Sequence, residues 1–344
     1  MRKSFVRIGA LLILTFLGVL LWQGSHQQVA ASVNSPAKTS DSVINEPIQP
    51  IPLTTGLDQR RVVLGKRLFQ EPQFSHDNTI ACSSCHNLSS GGVDHSQHAV
   101  GINGTVGNIN TPTIYNSGFN FRQFWNGRAA TLEEQASGPI HNPIEMGSNW
   151  AEVITKLNAS TDYVTAFVAI YPDGITSTNI ADSIAIFERS LSTPNSRFDQ
   201  FLRGNKNAIT AEEQQGYELF KSYGCVSCHQ GVNVGGNMYQ RMGIVSNYFT
   251  DRGGAITNAD LGRFDLTGNE QDRYVFKVPS LRLVALTAPY LHDGSVPTLK
   301  GAVEVMAYYQ LGRPISADDV NLITQFLKSL AGENAELDNK GGTS

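Results

Sequence analysis

Only four cysteines occur in the chain, and all fall in one pattern used twice: Cys82-Ser-Ser-Cys85-His86 and Cys225-Val-Ser-Cys228-His229. Two thiols at this spacing can add to the two vinyl groups of a porphyrin, and the adjoining imidazole can turn onto its iron. C-x-x-C-H is the attachment signature of c-type haem. Zinc half-sites and thioredoxin-like dithiols share the C-x-x-C spacing, but neither requires an adjacent His in both copies. The pattern therefore predicts two covalently bound haems, with His86 and His229 as proximal ligands.

Each iron then has a second axial ligand or an open position, and that choice separates electron carriers from catalysts. After His229 the donors are His292 and several methionines. Met306 lies on an expected helix with Val303 and Tyr309 on the same side, so it can face a haem; a space-filling core methionine is the alternative. Around the first haem, the stretch from Asn87 to Trp150 offers His95, His98, His141, Gln135 and Glu145. A haem that cleaves an O–O bond needs a group to carry a proton between the two oxygens. Glu145, in the apolar Pro143-Ile-Glu-Met146, suits that task if burial raises its pKa, although an isolated Glu is more often a surface residue.

Helical periodicity organises the rest. Leu57, Arg61, Leu64 and Leu68 mark one helix face, ending before Glu71-Pro72. Further helices are expected at about 149–158, 161–171 and 178–191. Thr210 and Glu213 form a capping box opening a helix that runs to Tyr223. Two more follow near 297–310 and 316–330, the latter capped by Ser316. The Gly- and Asn-rich stretch Asn87–Thr113 is expected to be a long functional loop. Strand alternation is scarce. The expected class is mainly α, with two tandem class I cytochrome c-like haem domains.

Arg2, Lys3 and Arg7 precede the uncharged apolar stretch Ile8–Trp22, and Val29-Ala30-Ala31 offers small residues to a signal peptidase. Fifteen apolar residues are short for a bilayer span, so 1–31 is read as a signal peptide or an N-terminal anchor. No Cys stands near it, which excludes a lipoprotein. Either reading puts the haem domains outside the cytoplasmic membrane, in the periplasm. Residues 32–52 read as a linker, 53–195 and 196–332 as the two haem domains, meeting near Pro194-Asn195, and 333–344 as a frayed tail. A net charge of −4 implies no basic face for nucleic acid.

The chain closely resembles the bacterial dihaem cytochrome c peroxidases from about Leu57 to Gly332. The matching residues are Cys82–His86, Gly91–Asp94, Asn110–Thr113, Phe124–Ala129, Leu132–Gln135 and Pro143–Met146, then Cys225–His229, Phe276–Arg282, Ala288–Gly294 and Ala302–Met306. The resemblance implies a peroxidatic haem on His86, with Gln135 and Glu145 handling hydrogen peroxide. It implies an electron-transfer haem held by His229 and Met306, with Trp125 between the two haems. It implies calcium on Asn110 and the carbonyls of Thr287 and Pro289, an oxygen set suited to a hard cation. A small cytochrome c or copper protein would donate the electrons, and the protein would be a homodimer.

One position departs from the family. Many members place there a histidine that ligates the resting first haem and leaves on reduction of the second; this chain has Ile102. Either His95 or His98 substitutes, or the first haem rests open. An always-open haem is also a trait of the methylamine-utilisation dihaem enzymes, which oxidise tryptophans of a partner protein. There a tyrosine replaces Met306, and Tyr308 and Tyr309 lie nearby. A non-catalytic dihaem cytochrome is the third reading, disfavoured by the presence of both Gln135 and Glu145.

Overall fold

The computed structural model describes residues 46–338. The expected signal or anchor, and the expected linker up to residue 45, lie outside the described residues, as does the tail beyond 338. Within them the chain is mainly helical, with one two-stranded antiparallel ladder that sets Gln240 opposite Phe276.

Helices start where the sequence provides caps. Asp58 accepts from the Arg60 N–H ahead of Gln59–Phe69, and Thr210 and Glu213 close their capping box at the head of Ala211–Tyr223. The Ser316 hydroxyl accepts from the Asp319 N–H at 3.1 Å to open Ala317–Ser329. Gln59–Phe69 packs on Ser177–Ser190, and Ala211–Tyr223 packs on Ala317–Ser329. Each crossing is close because one partner contributes a glycine. A Cβ at Gly65 would stand 1.9 Å from the Ser183 carbonyl oxygen, and one at Gly216 would stand 2.0 Å from that of Leu322. Helix Leu299–Tyr309 also packs on Ala317–Ser329.

Two apolar clusters follow these pairs. One gathers Leu64, Leu68, Phe74, Val153, Phe167 and Ile184; the other gathers Phe198, Tyr217, Phe220, Ile323, Phe326 and Leu327. The two ends of the described segment cross between them. Ile48 and Ile51, inside the expected linker, are fully buried, and Ile48 belongs to the second cluster. The Gly231 N–H donates to the Pro47 carbonyl at 2.8 Å, and Arg282 donates to that of Gln49 at 2.9 Å. At the other end, Asn334 donates to the Ser192 carbonyl at 2.8 Å, and Glu336 pairs with Lys66. The tail expected to fray from 333 is thus fastened to the first half as far as 338, because Asn334 supplies the hydrogen bonds and Leu337 an apolar contact.

Candidate functional site

One continuous cavity of about 790 Å³ runs between the two motifs. Cys82, Cys85 and His86 line one part, and Cys225, Cys228, His229 and Met306 line another. Its volume lies in the upper part of the ≈300–1,000 Å³ range of cofactor sites. Burial pushes the thiols of Cys82, Cys85 and Cys225 up to about 12, 11 and 11.

Both motif histidines are set as neutral ligands. His86 Nδ1 lies 3.0 Å from the Gly92 carbonyl and His229 Nδ1 3.4 Å from that of Val234. A proton on Nδ1 leaves Nε2 as the free donor in each ring. Burial lowers the pKa of both, that of His229 to about 4, so neither is protonated at neutral pH. The donor set and the cavity fit two haems.

Helix Leu299–Tyr309 turns Ala302, Val303, Met306 and Gln310 to the cavity, a spacing that puts them on one helical face. Tyr308 is exposed and, like Tyr309, does not line the cavity. A second sulfur, Met242, does line it and was not singled out from the sequence.

At the first motif, Gln135 and Glu145 face the same cavity. Gln135 is carried by helix Leu132–His141, capped by Thr131, and Glu145 by the loop that follows. The Asn142 amide donates to the Glu145 carboxylate at 2.6 Å. Burial raises the Glu145 pKa, with the Asn142 hydrogen bond and the Arg128 charge opposing it. Arg128 is itself held with its guanidinium 3.4 Å from the Phe124 ring centroid.

None of the loop histidines lines the cavity. The His95 ring bridges the Ser90 hydroxyl, at 2.6 Å, and the Ala288 carbonyl, at 2.9 Å. His98 lies outside the lining, and His141 is exposed against Trp150. Ile102 is buried, with Gly101 rather than Ile102 at the cavity wall.

Trp125 also lines the cavity. Its indole N–H donates to the Asn110 carbonyl at 2.9 Å, and its own carbonyl accepts from the Lys277 N–H at 2.8 Å. Asn110 N–H in turn donates to the His292 carbonyl at 2.7 Å. Asn110 spends its amide hydrogens on the Ser96 and Gln97 carbonyls, at 3.0 and 3.3 Å, which leaves its Oδ1 as an acceptor. Asn110, Thr287 and Pro289 all lie on the cavity wall.

A buried charge cluster that was not expected from the residues alone adjoins this wall, with His292 lining the cavity. Ligating atoms of Asp260, His292 and Asp293 lie within 4.8 Å of one another. That spacing could suit a cation, but Arg252 already occupies the place, 2.6 Å from Asp260 and 2.7 Å from Asp293. His292 Nε2 approaches Asp260 at 2.8 Å. Burial alone would raise the Asp260 pKa, but hydrogen bonds from His292 and Arg252 hold it far below the ordinary range. The His292 ring stacks on Phe276, centroids 4.5 Å apart, and meets Trp125 edge-on at 6.4 Å.

Residues 59–207 match the family model of the di-haem cytochrome c peroxidases. The chain is 49% identical to the cytochrome c peroxidase Ccp of Escherichia coli K12 over 84% of its own length and 62% of that relative's. It is 47% identical to the cytochrome c551 peroxidase of Nitrosomonas europaea, over 85% of this chain and 86% of that protein. Among solved structures, a MauG-like protein associated with microbial copper homeostasis superposes with a TM-score of 0.72 at 28% identity, covering 86% of this chain and 97% of that one.

Proposed function

Because the chain belongs to the di-haem cytochrome c peroxidase family, we propose that it reduces hydrogen peroxide to water with electrons from a small cytochrome c or copper protein. The observation that carries this reading is the single cavity shared by both haem-attachment motifs, Gln135 and Glu145. The bound haems supply the iron site and the electrons that cleave the O–O bond.

The chain supplies placement and proton handling. Glu145 takes a proton from the near peroxide oxygen and returns it to the departing one, a role suited to a carboxylate whose pKa burial has raised. Asn142 fixes the carboxylate's orientation. The Gln135 amide orients the peroxide oxygens. His229 and Met306 would hold the haem where electrons enter, and such a His/Met pair would keep its potential high. Trp125, braced by Asn110 and Lys277, fills the span to the peroxidatic side. Asn110 with the carbonyls of Thr287 and Pro289 would hold calcium, and the free Oδ1 of Asn110 supports this assignment.

Each half sets a glycine-spaced helix pair beside one C-x-x-C-H motif, which supports two tandem cytochrome c-like domains divided near residue 195. Maturation outside the cytoplasmic membrane follows from covalent haem attachment, and assembly as a homodimer rests on the family resemblance. Among the described residues, no helix is long and apolar enough to cross a membrane.

Ile102 favours a second reading, oxidation of tryptophans on a partner protein by a first haem that is always open. Met306 on the cavity wall, with Tyr308 and Tyr309 off it, supports the peroxidase instead. Steady-state peroxide consumption with reduced cytochrome c, started from the fully oxidised protein, separates the two. Multiple turnovers are expected; no turnover would sink the peroxidase reading.

A further inference from the structure

We propose that Lys277 is the protein's counter-ion for a haem propionate at the junction between the two haem sites, and that this pairing raises the reduction potential of the haem that carries it.

Lys277 lies on the short ladder strand Val275–Lys277, and its side chain reaches the cavity wall although the residue is only 8% exposed. Its backbone is fixed on the Trp125 carbonyl. Its neighbours border the second haem site. Phe276 stacks on His292, and a Cβ at Gly235 would lie 2.4 Å from the Pro279 carbonyl oxygen and 3.2 Å from His229 Nδ1. Lys277 thus stands where the strand passes from Trp125 to the His229 side.

Among the described residues, the other buried cation, Arg282, and the half-buried Arg252 have carboxylate partners. Arg282 pairs with Asp199 at 2.9 Å, both fully buried, and Arg252 pairs with Asp260 and Asp293. Among the described residues Lys277 has neither an ion pair nor a side-chain hydrogen bond, and burial alone lowers its pKa, to about 8. Glu188, a buried carboxyl on the same cavity wall, acts on Cys82 and not on Lys277. A buried ammonium needs an anion. The anions this cavity would receive are the two propionates that every haem carries. Peroxide enters neutral, and an acidic patch on a folded electron donor does not reach a residue that is only 8% exposed. A cation fixed beside a haem favours the added electron and so raises its potential.

The inference rests on haem occupying both motifs, so haems are counted first by the pyridine haemochrome method. Fewer than two per chain in the unaltered protein would overturn that reading and the inference with it. With two bound, potentiometric titration of Lys277→Met is expected to shift one haem's redox equilibrium about tenfold towards the oxidised form, about 59 mV for one electron. Lys277→Arg, which keeps the charge, should stay close to the unaltered value. Unchanged potentials in a fully loaded Lys277→Met overturn the proposal. Should that variant fail to fold or load, a crystal structure of the unaltered holoprotein decides. Lys277 Nζ hydrogen-bonded to a propionate oxygen is expected; Nζ on water or a protein carbonyl, with no propionate beside it, overturns the proposal.

Discussion

The backbone N–H of Ile102 donates to the carbonyl oxygen of Glu145 at 2.9 Å. The loop after the first haem motif is thereby fastened to the backbone of the residue assigned to proton transfer. The fit is close on both sides of the bond. A Cβ at Gly101 would lie 2.0 Å from the Ile144 carbonyl oxygen, and one at Gly147 would lie 2.4 Å from Ile102 Cδ1. The Ile102 side chain serves as packing under the Glu145 loop.

With Ile102 packed away and His95 engaged elsewhere, the oxidised first haem is expected to be high-spin and active without prior reduction. Electron paramagnetic resonance of the fully oxidised protein should show a dominant high-spin signal. Two low-spin haems would mean that His95 or His98 reaches the iron. Ile102→His should convert the enzyme to one that needs reductive activation, and should also loosen the contact with Gly147.

Glu145→Gln should keep both haems and their spectra while lowering peroxide turnover by about 10²-fold. Glu145 must be ionised to accept a proton, so kcat/KM should fall as pH drops through its pKa. Because burial raises that pKa, the acid limb lies above the ordinary carboxylate range. Arg128→Gln removes an opposing charge and should move the limb to higher pH. A limb that does not move with Arg128, and persists in Glu145→Gln, would assign the titration to another group.

Two methionines, Met242 and Met306, line the cavity within one apolar cluster, and ligation is assigned to Met306. Met306→His should abolish the weak sulfur-to-iron absorption band of the oxidised protein and lower that haem's potential. Met242→Leu should leave the band in place. The reverse result would make Met242 the ligand, and loss of the band only in His292→Ala would exclude both.

The Arg282–Asp199 pair is fully buried. Arg282→Met leaves a carboxylate uncompensated in the interior, and should destabilise the protein by about 3–5 kcal/mol in denaturant titration. Adding Asp199→Leu should restore much of that loss. A single variant as stable as the parent would show that solvent reaches Asp199.

Helices with caps and an unbroken apolar stripe were legible from residues alone: the expected 178–191 is Ser177–Ser190, and 316–330 is Ala317–Ser329. Helix Leu132–His141, which positions Gln135, was not, because Gly138 and Pro139 interrupt its apolar pattern despite the Thr131 cap. The haem-attachment residues were readable because C-x-x-C-H is a local motif, and Glu145 was legible as a cavity residue only through the family resemblance, since composition alone favours a surface position. Lys277, Met242 and the Arg252–Asp260 pair were not, since their meaning comes from neighbours distant in sequence. Nothing near Phe276-Lys-Val reveals that Trp125 lies against it.

The crossing of segments 46–52 and 333–338 has a consequence for the order in which the molecule matures. A chain made from its N-terminus presents Ile48 and Ile51 early, yet their seats are built from residues beyond 196. The first half, made early, waits for Asn334 and Glu336 to close against Ser192 and Lys66. Neither half can therefore be finished while the other is still emerging. A break near residue 195 would yield two fragments, each missing a piece held by its counterpart, and they would regain the native form by associating rather than by folding apart.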